Sequence, residues 1–267
     1  MTGESRDGGR LFTPRTPRIV AARRLQRRRD RDQTGRFLVE GPQAVREALG
    51  AGVVLDLFGT ETALSRHGDL AALAPAVSTV SDEALAGLAE TVHPQGLVAV
   101  CERVDVPLRS VLDKRLIAVV ADIRDPGNAG TVLRTADAAG VDAVIFAGDA
   151  VDPYNGKCVR ASAGSLFHVD VVRERDSAAV VTALRGAGRQ VLAATGSGDD
   201  DLDDLLDGGT LARPTAWLFG SEAHGLSELL LTAADRRVRV PIYGGAESLN
   251  LAAAAAICLY ASARAMR

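Results

Sequence analysis

The sequence predicts an α/β protein. Its larger part is a mostly parallel sheet with helices on both faces, and a smaller α/β domain precedes it. Three observations carry this reading. Five short apolar segments recur in the second half: "LIAVVAD", "DAVIFAG", "RQVLAAT", "TAWLFG" and "RRVRVPI". Near-continuous apolar runs of strand length belong to strands covered on both faces. Stretches with helical spacing, 129–139, 176–186 and 225–233, separate them, and 248–265 follows. A weaker alternation of strand and helix signals fills the first 100 or so residues, as in a small α/β sandwich.

Taken in order, residues 1–16 mix Gly, Pro, Thr and Arg without periodicity and are expected to form a flexible arm. From Pro17, "RIVAARRLQ" places Ile19, Ala22 and Leu25 at helical spacing, and an arginine-rich helix is expected around Arg23–Arg31. "RFLVEG" reads as a strand ended by Gly41-Pro42, with Pro42 suited to the first turn of "PQAVREAL". "VVLDLFG" is a second strand. "SDEALAGLAE" opens with Ser81 as N-cap and with Asp82 and Glu83 in the first turn, and "GLVAVCE" closes the region as a strand. The expected organisation is thus an arm (1–16), a small domain (17–101), a linker "ERVDVPLRSVLDKR" (102–115) and a larger domain (116–267).

Composition excludes several classes. The chain of 267 residues is 47% apolar and 24% charged, as in soluble globular proteins. No apolar run approaches the roughly 18 residues that cross a bilayer, and the N-terminus lacks a signal-peptide core. Cys101, Cys158 and Cys258 are far apart and the histidines are scattered, so neither a disulfide framework nor a metal site is expected; a reducing cytoplasm fits. The net charge of −3 conceals an asymmetry. Residues 18–36 are dense in arginine, which points to a polyanion partner, whereas "GSGDDDLDDLLDG" reads as a solvated acidic loop.

In a doubly wound sheet, ligands sit beyond the carboxyl ends of the strands. Three polar, glycine-containing segments follow strands here. In "ADIRDPGNAGTVLRTADAAG", Asn128 is the expected N-cap and Arg134 lies two turns into the helix. In "TAWLFGSEAHGLS", Gly220 and Gly225 flank Glu222, and Ser227 caps the next helix. In "VPIYGGAESLNLAAAAAICLYASAR", Ser248 is the expected cap and Asn250 follows in the first turn. Helix N-termini offer free N–H groups to ligand atoms. None of the three is a Walker A, Rossmann or nucleophile-elbow motif.

Together and in this order, "NAGTVLRTA", "FGSEAHGLS" and "VPIYGGAESLNLA" resemble the three motifs of the SpoU (TrmH-like) RNA ribose methyltransferases of the SPOUT superfamily. "YNGKCVRASAGSLF", "FLVEGPQAVREAL" and "HPQGLVAV" match further stretches of that family, so the likeness spans about residues 17–265. The resemblance implies a C-terminal domain with a deep trefoil knot and an L30e-like N-terminal domain that binds substrate. It implies S-adenosylmethionine as methyl donor, transfer to a ribose 2′-hydroxyl, no metal, and a homodimer formed through the C-terminal domain. Ribosomal RNA is favoured over transfer RNA; a non-catalytic RNA-binding protein with the same fold is the alternative of another class. Carried over by position, the catalytic set is Arg134, Asn128, Glu222, Ser248 and Asn250. Cofactor contacts fall at Thr195, Gly196, Gly220, Val240, Ile242 and Leu249, and RNA contacts at Arg23, Arg24, Arg27, Arg28 and Arg134.

Overall fold

A computed structural model describes residues 11–267. In chain order its first elements are α1 (Pro17–Arg24), α2 (Arg28–Thr34), β1 (Arg36–Glu40), α3 (Pro42–Gly50), β2 (Val54–Gly59), α4 (Glu61–Arg66), α5 (Gly68–Leu73), β3 (Val77–Thr79), α6 (Asp82–Leu88) and β4 (Leu97–Glu102). There follow β5 (Leu116–Ala121), α7 (Pro126–Ala139), β6 (Ala143–Ala147), α8 (Gly156–Ser162), β7 (Asp170–Glu174), α9 (Ser177–Gly186) and β8 (Gln190–Ala194). The last are β9 (Asp200–Asp201), α10 (Leu202–Asp207), β10 (Thr215–Phe219), α11 (Glu228–Ala233), β11 (Arg236–Arg239) and α12 (Leu251–Ala265). They form two compact units. One comprises the described chain up to Val104 together with Tyr154–Phe167; the other comprises Asp105–Pro153 and His168–Arg267.

The first unit is built on a mixed sheet of order β1-β4-β2-β3, with β4 antiparallel to both β1 and β2. Residues 1–10 of the expected arm lie outside the described residues. Leu11–Thr16, by contrast, are tied down. Phe12 is buried, its N–H donates to Thr79 O at 2.9 Å, and it bridges Val80 beside β3. Burying an aromatic ring outweighs the lack of helical or strand periodicity that made the segment look loose. The arginine-rich helix is also two helices, not one. It breaks at Leu25–Arg27, where the buried Arg31 donates through Nη1 to Leu25 O and Gln26 O, both at 2.9 Å. Arg31 therefore replaces backbone bonds that the helix break leaves open.

Tyr154–Phe167 packs in this unit, although in sequence it lies within the larger domain. Its aromatic residues explain why. The Tyr154 ring sits 4.6 Å from Phe37 of β1, its hydroxyl accepts the Val104 N–H at 3.0 Å, and Phe167 stacks on Phe37 at 6.2 Å. Arg160 lies 3.5 Å from Glu40 and 3.4 Å from Glu90. A Cβ at Gly156 would fall 2.1 Å from the Glu90 carboxylate, so glycine lets α8 approach this cluster.

The second unit holds a seven-stranded sheet of order β7-β6-β5-β10-β8-β11-β9, parallel throughout. Alternate residues of β5 show how both faces are covered. Ile117, Val119 and Ala121 join the core beneath α9 and α11, and α7 and α12 pack together on the other face. The expected linker belongs here from Asp105 onward: the Val106 N–H bonds Val171 O at 2.9 Å, and Val111 is fully buried. Strands β7 and β9 lie at the two edges of the sheet and carry charged residues, and β9 is only two residues long, so neither shows the apolar run that marked the central strands. Among the described residues no helix is long and apolar enough to cross a membrane.

Helix α12 is locked to the sheet by one buried polar contact, in which Trp217 Nε1–H donates to Ser262 Oγ at 2.9 Å, both residues being fully buried. Ser262→Ala leaves the indole N–H without an acceptor. The expected loss is about 1–3 kcal/mol of unfolding free energy, measured by urea denaturation; an unchanged midpoint would show that another acceptor takes over.

Candidate active site

The C-terminal ends of β5, β10 and β11 lie at one edge of the parallel sheet, and each feeds one of the three motif segments. The turn after β10 needs glycine. A Cβ at Gly220 would fall 2.1 Å from the Gly225 carbonyl carbon and 2.2 Å from Leu226 N, and Gly225 has φ +66°. Ser221 and Gly225 exchange backbone hydrogen bonds at 3.0 and 2.9 Å, so 221–225 is a tight loop with Glu222 at its tip.

The Glu222 carboxylate joins the segments. Oε1 accepts the Asn128 side-chain amide at 3.0 Å and the Asp125 N–H at 3.2 Å, and Oε2 accepts the Arg124 N–H at 3.3 Å. Asn128 Oδ1 in turn accepts the Asn250 side-chain amide at 3.1 Å. Asn250 Oδ1 takes the first N–H groups of α12, from Ala252 and Ala253, at 2.9 and 3.3 Å. Residues separated by 94 and 122 positions thus form one chain of hydrogen bonds. Partial burial pushes the Glu222 carboxyl upward, but the Asn128 amide and the surrounding backbone N–H groups outweigh it. The net effect holds Glu222 below the ordinary carboxylate value, and it is ionised at neutral pH.

Two capping assignments change. Asp125, not Asn128, is the N-cap of α7: its Oδ1 accepts the Asn128 N–H at 2.8 Å. Asn250, not Ser248, caps α12, and Ser248 stays on the exposed loop before it. Capping by Asp125 frees the Asn128 side chain for Glu222, and capping by Asn250 leaves its amide for Asn128. Of the expected catalytic set, the structure therefore connects Asn128, Glu222 and Asn250. Arg134 is exposed on α7 and makes no side-chain hydrogen bond or ion pair among the described residues.

Asp122, directly after β5, is a residue that the sequence pattern passed over. It adopts φ +55°, and its Oδ1 accepts the Asp149 N–H at 2.7 Å, clamping the turn after β6 to the turn that feeds Arg124 and Asp125 to Glu222. Only an acidic residue directly after an apolar run marked it in sequence. With Arg124, Asp125, Glu222 and His224 it lines a cleft of about 800 Å³.

The expected cofactor positions surround the same sheet edge. The Thr195 N–H is used by Val238 O at 2.9 Å, whereas Gly196 is exposed. Val240 is half-buried, and Ile242 and Leu249 are 39% and 37% exposed. Within 242–249 the backbone N–H groups make no hydrogen bond among the described residues. Tyr243 alone is anchored, through its hydroxyl to Asp203 Oδ2 at 2.7 Å. An apolar-flanked loop with unused N–H groups beside a helix start is suited to a ligand that has both apolar and polar edges.

Residues 115–260 match the model of the SpoU rRNA methylase family, and 16–99 match that of the MRM3-like substrate binding domain. The chain belongs to the SpoU rRNA methylase family. Its relatives include a 23S rRNA (guanosine(2553)-2′-O)-methyltransferase of Bacillus subtilis, 35% identical over 89% of this chain and 92% of the relative. A 23S rRNA (uridine(2479)-2′-O)-methyltransferase of Streptomyces viridochromogenes is 34% identical over 98% of this chain and 94% of the relative. An AdoMet-bound rRNA methyltransferase from Sinorhizobium meliloti superimposes with TM-score 0.82 at 30% identity, covering 96% of this chain and 98% of that chain. Within this family architecture, Glu222, Asn128 and Asn250 bring the three motif segments into register.

Because the folded pKa of Glu222 lies below the unfolded value of about 4.5, its contribution to stability is fully present above that value and is lost as pH falls through the lowered pKa. Amide exchange at Arg124 and Asp125 is the measurement. Protection beyond that of Glu222→Gln is expected at pH 7 and should vanish in acid. Equal protection in the two proteins at pH 7 would remove Glu222 from its joining role.

Proposed function

We propose that this chain transfers a methyl group from S-adenosylmethionine to a ribose 2′-hydroxyl of ribosomal RNA. The observation that carries the proposal is the Glu222–Asn128–Asn250 chain, which unites the family's three motifs at the ligand-binding edge of the sheet. The relatives' 23S rRNA activities and the AdoMet-bound neighbour support the same reading.

The residues present fit the donor. Thr195, Gly196, Gly220, Val240, Ile242 and Leu249 would hold it, with the free N–H groups of 242–249 meeting its polar atoms. S-adenosylmethionine supplies, when bound, an electrophilic methyl on a sulfonium. The attacking alcohol is a weak nucleophile that must lose a proton. Glu222 is a poor base for it, being held ionised with both oxygens accepting N–H groups. Arg134 is a poor base as well, since a guanidinium stays protonated. Its role is electrostatic: it stabilises the developing alkoxide and grips the neighbouring phosphate in a planar fork. Its exposure on α7, without a carboxylate partner among the described residues, leaves that charge available. Asn128, Glu222 and Asn250 position the backbone around it, and Ser248 is placed on the cofactor loop.

The remaining assignments belong to the same reading. The domain is knotted. In support, β11 lies between β8 and β9, and the link between those two strands crosses it so closely that a Cβ at Gly198 would fall 2.6 Å from Arg239 N. Two copies pair through the C-terminal unit, where α12 exposes Ile257 and Tyr260. The N-terminal domain, 17–101 in sequence, selects RNA in the cytoplasm, with exposed Arg23, Arg24, Arg27 and Arg28 facing phosphates.

Arg134→Ala is expected to abolish methyl transfer while leaving S-adenosylmethionine affinity intact. Arg134→Lys keeps the charge but loses the fork and is expected to slow single-turnover transfer by roughly a hundredfold or more. The measurement uses labelled S-adenosylmethionine and ribosomal RNA from cells lacking the gene. Wild-type rates in the lysine variant would refute the fork, and wild-type rates in the alanine variant would remove Arg134 from the site.

A further inference from the structure

The opposite edge of the parallel sheet carries a pattern that the methyl-transfer site does not use. Along the adjacent strands β5, β10, β8 and β11, each strand is entered through arginine: Arg115 before β5, Arg213 before β10, Arg189 before β8, and Arg236 and Arg237 at the start of β11. Parallel strands place all these entries on one side, and neighbouring strands are about 4.8 Å apart, so the row runs about 14 Å. Excepting Arg115, these arginines line a polar groove of about 1100 Å³, the β11 pair included.

The charges in this row are not neutralised equally. Among the described residues, Arg236 is paired with Asp200 at 3.0 Å. Arg189 donates only to backbone carbonyls, of Asp113, Lys114 and Ala187, at 2.9–3.1 Å. Arg237 donates to Leu231 O at 3.3 Å and Arg115 to Met266 O at 3.4 Å, while Arg213 is exposed without an ion pair. Carbonyl oxygens orient a guanidinium without cancelling its charge. Of the nearby acids, Asp235 and Asp200 are paired with arginines, whereas Asp142, outside the groove, keeps its charge because backbone N–H groups do not cancel it. Asp142 accepts the N–H groups of Arg115 and Leu116, and Asp235 accepts the Val191 N–H and pairs with Arg185. Asp199, which also lines the groove, does not balance the remaining arginines. A row in which Arg189, Arg213 and Arg237 carry no acid partner among the described residues, on a chain of net charge −3, is complementary to a polyanion with regularly spaced charges.

We propose that this groove is a second RNA-binding surface, holding the phosphate backbone without reading sequence. The proposal rests on the RNA substrate inferred above and adds where the C-terminal unit holds it. A strand of five residues is about 16 Å long, so the groove lies at least that far from the methyl-transfer edge. It therefore acts on RNA affinity and not on the chemical step.

The test uses the full-length protein, a 23S rRNA transcript, and the variants Arg213→Gln, Arg213→Gln/Arg237→Gln and Arg213→Lys. Binding is measured from low to moderate salt. Removing one phosphate-binding charge should reduce the slope of log affinity against log salt by about 0.7–0.9. The double glutamine variant is expected to show about twice that reduction and a raised KM for RNA. Its kcat at saturating RNA, its S-adenosylmethionine affinity and its melting temperature should not change. Arg213→Lys should behave as wild type, since holding a phosphate needs charge. An unchanged salt slope in the double variant overturns the proposal, as does a weakening in Arg213→Lys equal to that in Arg213→Gln. The wild-type reaction distinguishes the two readings: absence of methyl transfer by the unmodified protein refutes the proposed activity, whereas the slope comparison judges the groove alone.

Discussion

The site depends on one carboxylate. Glu222 sits at the tip of a loop that only glycine at 220 permits, and it gathers N–H donors from two directions: the Asn128 side chain and the backbone of Arg124 and Asp125. Hydrogen bonds to an ionised acceptor are among the stronger ones in proteins. The same bonds that place the segments hold the charge below its ordinary pKa. Position and ionisation are therefore two consequences of one arrangement. Through Asn128 the order passes to Asn250, and through Asn250 to the start of α12. Asp122 extends it sideways to the turn after β6.

Close backbone approach is the second constraint. Gly220 beside Gly225, and Gly198 beside Val238 and Arg239, leave no room for a Cβ. The alanines of α12 serve the same end at helix scale, letting α12 lie against α7 while Ser262 reaches Trp217. The polar, flexible loop that precedes this helix is left with unused N–H groups, a state that costs little only where water or a ligand meets them.

Arginine is used in three physically different ways. Arg31 is buried and repairs a helix break by bonding carbonyls. Arg160 sits between two glutamates and holds α8 to the first unit. Arg23, Arg24, Arg27, Arg134 and Arg213 are exposed without an acid partner among the described residues. Composition counts all of these alike. The last group offers its charge to a polyanion most freely, and Arg189 and Arg237, held only by backbone carbonyls, keep theirs as well.

Much of this was legible in the sequence. Apolar runs marked the central strands because those strands are covered on both faces, and periodicity placed the long helices. Ser81 was readable as a cap because its bond to Ala84 is three residues away. The motif residues Asn128, Glu222 and Asn250 were identifiable by resemblance. The local pattern misled where a side chain has two possible partners. Asn128 and Ser248 both look like caps, but Asp125 and Asn250 take those places, and no local rule weighs a cap against an acceptor 94 residues away. Nor could spacing show that Phe12 is anchored, that Arg31 is buried, or that Tyr154–Phe167 leaves its neighbours in sequence to pack on β1. The row of arginines at the far sheet edge is spread over more than 120 positions and becomes a row only through the strand order. Sequence determines which segments become strands and helices, since burial and local hydrogen bonding act over a few residues. Which polar groups meet, and which charges stay uncompensated, is decided by contacts between segments far apart in the chain.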